Sequence, residues 1–204
     1  MKKKSKSLNR VFLLIISLFF LALTSTFSLS ENPIVLVSTE KGEITIELYE
    51  KNAPITVSNF LKYVDNQLYD NGTFFRVVNS DNDPEKNIKI AVIQAGIQAD
   101  RQKESFPPIK HETTEESGIL HKDGVISMAR TDPGTATSSF FICVGDQPEL
   151  DYGGKRNPDG QGFAAFGKVI NGMNVVYDIH TQPTDGQTLN PSIKIHFIKR
   201  IKNN

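Results

Sequence analysis

Arg76 is the side chain best equipped for chemistry in this chain. It stands in the run Phe74-Phe75-Arg76-Val77-Val78, a guanidinium with two apolar neighbours on each side. Such a group is permanently charged, rigid and rich in N–H donors, so it can stabilise a lone pair or a developing negative charge. Taken alone, the run leaves two readings open: an arginine snorkelling from a barrel edge or held in a structural ion pair, or a guanidinium aimed into a substrate groove. Other chemistries find little equipment. The four histidines, His111, His121, His180 and His196, are scattered, and Cys143 is the single cysteine, so neither a metal site nor an internal disulfide is expected. There is no glycine-rich phosphate loop and no serine in a nucleophile-elbow context. Cys143 lies among Phe and Ile and reads as a buried, inert thiol. No cofactor is expected.

The apolar counterpart of Arg76 is the stretch 124–144, GVISMARTDPGTATSSFFICV. Two strand-like runs, 125–129 and 139–144, flank a loop made of Asp132, Pro133, Gly134, Thr135 and Ala136. In the second run Phe141 and Cys143 share one face, and Phe140, Ile142 and Val144 the other. A strand apolar on both faces cannot lie on an open surface. It must be buried twice over, or form a wall on which something docks.

The remaining elements must hold these two together. Segments 34–37 and 43–48 read as an antiparallel hairpin turning at Lys41-Gly42, since Ile44, Ile46 and Leu48 alternate with Glu43, Thr45 and Glu47. Ala53-Pro54 opens a helix whose apolar stripe is Val57, Phe60, Leu61, Val64 and Leu68. Asn71-Gly72 marks a tight turn before the strand that carries Arg76. A polar loop, 79–87, precedes a strand expected over 88–93 that ends at Gln94-Ala95-Gly96. Segment 98–116, with Pro107-Pro108, reads as a surface excursion with little regular structure, and 145–162 as a second long loop. A strand over 163–169, a short helix with Met173, Val176, Tyr177 and His180 at helical spacing, and a strand over 193–201 complete the chain. Several short strands with two helices suggest a closed or nearly closed barrel with helical caps.

Residues 1–30 stand apart. They hold Lys2, Lys3, Lys4, Lys6 and Arg10, no acidic residue, and an apolar run over 11–23 of signal-peptide length. Ser28 and Ser30 place a cleavage site before Glu31; an uncleaved anchor extended through 24–29 is the competing reading. Residues 31–204 then form a single domain. Whole-chain charge balances at 23 basic and 23 acidic residues, so the exported part would carry an excess of five acidic groups. With no basic stripe, nucleic acid is not an expected partner. The chain is expected to be exported, periplasmic or secreted, monomeric, and in contact with a membrane only if the leader stays on.

The runs Ser127-Met128-Ala129-Arg130-Thr131, Ala136-Thr137-Ser138 and Phe140-Phe141-Ile142 resemble the signature of bacterial cyclophilins, which are peptidyl-prolyl cis-trans isomerases. Ala53-Pro54 with Val57-Ser58-Asn59-Phe60, Gly72-Thr73-Phe74 with Arg76-Val77, Ile93-Gln94-Ala95-Gly96 and Phe166-Gly167-Lys168-Val169 extend the resemblance from about 34 to 201. It implies a mainly β fold, a closed antiparallel eight-stranded β-barrel capped by two α-helices. It also implies that Arg76 is catalytic and that Gln94 stands beside it. Ala129, Arg130 and Thr131 take the main-chain segment that pairs with substrate; Phe141 and Leu150 take two walls of the proline pocket. Phe163 stands where members carry His or Tyr, Val92 where Met is usual, and Ser139 where Gln is common. Ala91 replaces a Phe and is expected to remove one pocket wall; Glu149 replaces an aromatic residue, and Phe75 a His.

These residue types suit that reaction. Rotation about a peptide bond is opposed by about 18–20 kcal/mol, and X-Pro isomers exchange in tens to hundreds of seconds. A catalyst needs no nucleophile, only tighter binding of the twisted amide than of either planar form. In the twisted state the nitrogen regains a lone pair that Arg76 can address, while Phe141, Val92 and Leu150 grip the ring. The implied partners are proline-containing unfolded or extended polypeptides. Two other readings remain on sequence grounds: a non-catalytic prolyl-peptide-binding chaperone on the same fold, and a small-ligand barrel of lipocalin type.

Overall fold

A computed structural model describes residues 32–84 and 86–202; the leader over 1–30 and the cut before Glu31 lie outside the described residues. The chain begins with strand β1 (Ile34–Thr39), in which alternate residues are buried, turned back on β2 (Gly42–Leu48) with Thr39 opposite Gly42. The strands that follow are β3 (Thr73–Val78), β4 (Val92–Gly96), β5 (Val125–Met128), β6 (Phe140–Cys143), β7 (Ala164–Asn171), β8 (Thr184–Asp185) and β9 (Thr188–Ile201). Hydrogen bonding runs β1-β2-β7-β5-β6-β4-β3-β9, and β9 pairs back onto β1. Eight antiparallel strands therefore close into a barrel, as the resemblance implies, with the two-residue β8 added beside the start of β9. Inward side chains such as Val37, Ile46, Phe74, Ile93, Ile126, Phe140, Ile142 and Ile195 fill one continuous core.

Helix α1 (Pro54–Asp65) leaves the Leu48 end of β2 and buries Val57, Phe60, Leu61 and Val64, four of the five residues of the apolar stripe. Phe60 is its anchor, with ring centroids 5.2 Å from Tyr69 and Phe166 and 5.5 Å from Phe140. The third helix, α3 (Met173–His180), packs at the Gly42 end of β2 through Val175, Val176 and Ile179. The two helices thus cover opposite mouths. Gly172 precedes α3 at φ +92°, where a Cβ would run into the Glu43 carbonyl, so glycine alone fits there.

Two segments differ from the sequence expectation. The strand expected over 88–93 starts only at Val92. The backbone before it is taken up by side chains: the Ile88 carbonyl accepts from Arg156, and the Ala91 N–H donates to Gln147 Oε1 at 3.1 Å. The excursion 98–116 is more ordered than its composition suggests. It holds a 3₁₀ turn (Ala99–Glu104) and a one-turn helix α2 (Thr114–Ser117), whose start is a capping box between Thr113 and Glu116. It also contains the buried Glu112, whose carboxylate accepts from Ile55 N (3.1 Å), Thr56 N (2.8 Å) and Thr56 Oγ1 (2.6 Å). Helix α1 has no side-chain cap of its own at Ala53, so its first N–H groups are satisfied by a residue 56 positions beyond Thr56.

Candidate active site

Strict alternation would point Arg76 into the core with Phe74. A β-bulge between these two residues prevents this: Phe74 pairs with Ala95 and Arg76 with Gln94, leaving Phe75 unpaired. Phe74 and Val77 face the barrel interior, whereas Val78 joins a separate apolar cluster with Val92, Phe141, Cys143 and Leu150. The register then carries one row across four strands on the outer face, from Arg76 to Gln94, Phe141 and Ser127. Arg76 and Phe141 are two strand spacings apart, about 10 Å between backbones. Both line a single cleft of ≈ 250 Å³, with Gln94, Val92, Ala129, Arg130, Leu150 and Phe163.

The guanidinium is fixed on two sides. Gln94 Oε1 accepts from Nη1 at 2.8 Å, and Gln187 Oε1 accepts from Nε at 3.0 Å and Nη2 at 2.6 Å. Three of its five N–H donors are committed in this way, which leaves two for a substrate. Burial lowers its pKa from the usual arginine range, Arg156 adds to the effect and Asp83 opposes it; an arginine remains charged at neutral pH.

The apolar half of the cleft is built on Phe141. Phe163 meets it edge-on, with centroids 5.3 Å apart at 89°. His121 stacks behind it at 6.0 Å and 15°. His121 is itself clamped, with Asp151 Oδ1 at 2.7 Å from Nδ1 and Ser127 Oγ at 2.9 Å from Nε2. A Ser-His-Asp chain invites a nucleophilic reading, but Ser127 is 0% exposed in the middle of β5. The chain holds the imidazole that backs the pocket floor, and no substrate can reach its hydroxyl.

Arg130 lines the cleft, but its side chain is a strut. It donates to Asp159 at 2.8 and 2.9 Å and to the Gly162 carbonyl, and sits 5.1 Å from the Phe163 ring centre. It thereby pins the end of the 145–162 loop. Its main-chain N–H has no hydrogen-bond partner among the described residues, while Ala129 N is already bonded to the Ser139 carbonyl at 2.9 Å. Thr131 lies exposed on the following loop, and Ser139 packs near Gly96; neither is among the cleft's lining residues. Ala91 is also absent from the lining, whereas Ile90, one residue earlier, is part of it. Sequence reasoning did not find Ile90, Lys86, Arg156, Asn157 or Gln187. The first four line the cleft from loops, Gln187 reaches Arg76 from the β8–β9 turn, and no local pattern marks any of them.

The family described as "Cyclophilin type peptidyl-prolyl cis-trans isomerase/CLD" matches residues 34–200. The chain belongs to the cyclophilins. It is a peptidyl-prolyl cis-trans isomerase, similar to peptidyl-prolyl cis-trans isomerase A of Dickeya dadantii (35% identical over 166 residues, 80% of each chain). A peptidyl-prolyl cis-trans isomerase of Acinetobacter baylyi is 35% identical over 171 residues, covering 83% of this chain and 84% of its own. Isomerase B of Escherichia coli K12 is 36% identical over 143 residues, 70% of this chain and 80% of its own. Among solved structures, a cyclophilin-type isomerase from Cryptosporidium parvum shares the fold with a TM-score of 0.68 at 21% identity, over 85% of this chain and 99% of its own. A second structure of that protein, in the presence of the dipeptide Ala-Pro, gives 0.66 at 22% identity, over 83% and 99%.

Proposed function

We propose that this cyclophilin isomerises X-Pro bonds in exported polypeptides, with Arg76 stabilising the twisted amide and Phe141, Val92, Leu150 and Phe163 gripping the ring. The observation that carries this reading is the shared row. Arg76 keeps two N–H donors on the same face, and in the same cleft, as the aromatic floor. The cleft's ≈ 250 Å³ is below the roughly 300–1,000 Å³ of drug-sized sites, which suits one side chain of an extended chain rather than a whole small molecule. The neighbour studied with Ala-Pro supports the same ligand class. Main chain near Arg130 would hold the peptide's other edge.

The energetics require both halves. A millionfold acceleration needs about 8 kcal/mol, and one preorganised donor supplies about 3–4. Ring grip and distortion contribute about 1–5 more. Exchange broadening of an Ala-Pro peptide at catalytic protein concentration tests the reading; binding without faster exchange would leave a prolyl-peptide-binding chaperone instead. The export half rests on the basic, then apolar, leader. Amino-terminal sequencing of the exported form should begin at Glu31, and an intact leader would overturn the cleavage.

A further inference from the structure

One edge of the Arg76 guanidinium rests on a single oxygen, Gln187 Oε1. What holds that oxygen is chiefly a charge pair between two loops, beside a longer contact of 3.4 Å from Gln187 Nε2 to the Asn82 carbonyl. Asp83, on the loop after β3, accepts from Gln187 Nε2 through Oδ1 at 3.0 Å and from Arg156 Nη1 through Oδ2 at 2.5 Å. Arg156 Nη1 also donates to the Ile88 carbonyl at 2.6 Å, and Arg156 lines the cleft. The Arg156 and Asp83 side chains are both buried, at 9% and 7% exposure.

The chemistry of the donors dictates the order of this chain. A carboxylate only accepts, a guanidinium only donates, and a primary amide has one end of each kind. Gln187, wedged between Asp83 and Arg76, therefore has one fully bonded orientation: NH₂ to Asp83, oxygen to Arg76. Turning the amide over would place two donors face to face at Arg76 and two acceptors face to face at Asp83. We propose that Asp83 and Arg156 are positioning residues for isomerisation, the ion pair between the two loops setting the amide of Gln187 and, through it, the guanidinium of Arg76. The proposal rests on the reading of Arg76 as the group that meets the twisted amide. It also gives the polar loop 79–87 and the long loop 145–162 a use, because each contributes one half of the pair.

Asp83→Asn is the sharpest perturbation, because it keeps size and inverts one polar atom. The substituted amide must turn its oxygen to Arg156, so its NH₂ confronts Gln187. Gln187 then relieves that clash only by offering its own NH₂ to Arg76. Adding Gln187→Glu would repair the chain, since a carboxylate there accepts from both neighbours. Arg156 makes both of its contacts through one nitrogen, so Arg156→Lys can preserve them where Arg156→Ala cannot.

The experiment measures kcat and KM by NMR exchange on an Ala-Pro peptide, with the ¹⁵N–¹H resonance of Arg76 Nε as a structural readout. Asp83→Asn and Arg156→Ala should each lower kcat about ten- to hundredfold, the loss that follows from misplacing one charge-assisted hydrogen bond. In Asp83→Asn KM should stay within about twofold, because no cleft-lining side chain is altered. The Arg76 Nε resonance should shift. Asp83→Asn combined with Gln187→Glu, and Arg156→Lys, should recover most of the turnover. The proposal is overturned by unchanged kcat in Asp83→Asn, by parallel loss of kcat and KM with the Arg76 resonance in place, or by a double variant no better than Asp83→Asn. Full turnover in Arg76→Ala would instead sink the functional reading itself, so the two failures are told apart.

Discussion

Glu112→Gln should destabilise the barrel without touching the chemistry. Helix α1 starts with no acidic residue in its first turn and no side-chain cap, so the Glu112 carboxylate supplies both charge and acceptors. One oxygen takes Ile55 N, and the other takes Thr56 N and Thr56 Oγ1. Glutamine keeps one oxygen and turns an NH₂ towards the remaining donors. Leaving a buried donor unsatisfied costs about 1–3 kcal/mol, and losing a negative charge at a helix start about 0.3–1 more. A total of about 2–3 kcal/mol corresponds to about 5–10 °C in Tm for a domain of this size. Thermal unfolding followed by circular dichroism measures it, with isomerisation at about 25 °C as the control. Glu112 does not line the cleft, so turnover of the folded variant should stay within about twofold of the parent. A Tm unchanged to within about a degree would refute the idea that this distant carboxylate holds the helix start.

Two further outcomes follow from titratable groups. Asp159 is held below its ordinary 3.8, first by its hydrogen bonds from Arg130. A depressed carboxylate binds protons in the unfolded chain first, so its stabilisation is full above that value and fades as pH falls through the lower, folded one. Urea unfolding of the parent and of Arg130→Ala should therefore differ most at neutral pH, and the gap should narrow as pH falls below 3.8 to what the Gly162 and Phe163 contacts of Arg130 contribute; a gap independent of pH would contradict the pairing. Burial, reinforced by Asp151, Asp123 and Asp146, pushes the Cys143 thiol well above the ordinary 9.0. Iodoacetamide should leave Cys143 unmodified in the folded protein and label it fully in denaturant, as mass spectrometry would show, and rapid labelling of the native form would be the contrary result.

Elements governed by neighbouring residues were legible in the sequence. The alternation of 43–48, the stripe of α1 and the two-faced run around Phe141 each follow from a period of two or of three to four. Each is found where expected. Arg76 could not be resolved locally, because its direction depends on a bulge that appears only when β3 pairs with β4. Residues 88–91 carry a strand's composition, yet partners from distant loops take their backbone groups. Glu112, Gln187, Asp83 and Arg156 act across separations of 56 to 111 residues, which no window along the chain can reveal. The resemblance brought Arg76, Gln94, Phe141, Leu150 and Phe163 together before any contact was visible. It could not supply Ile90, which lines the cleft where Ala91 does not.

The central claim is that Arg76 acts on the twisted bond more than on the resting peptide. Its direct test is Arg76→Ala, with turnover and affinity measured on the same Ala-Pro peptide by NMR exchange and titration. Loss of one preorganised charged donor should lower kcat about a hundred- to a thousandfold while Kd stays within about threefold. Turnover within a factor of about two of the parent, or a loss wholly explained by weaker binding, would contradict it.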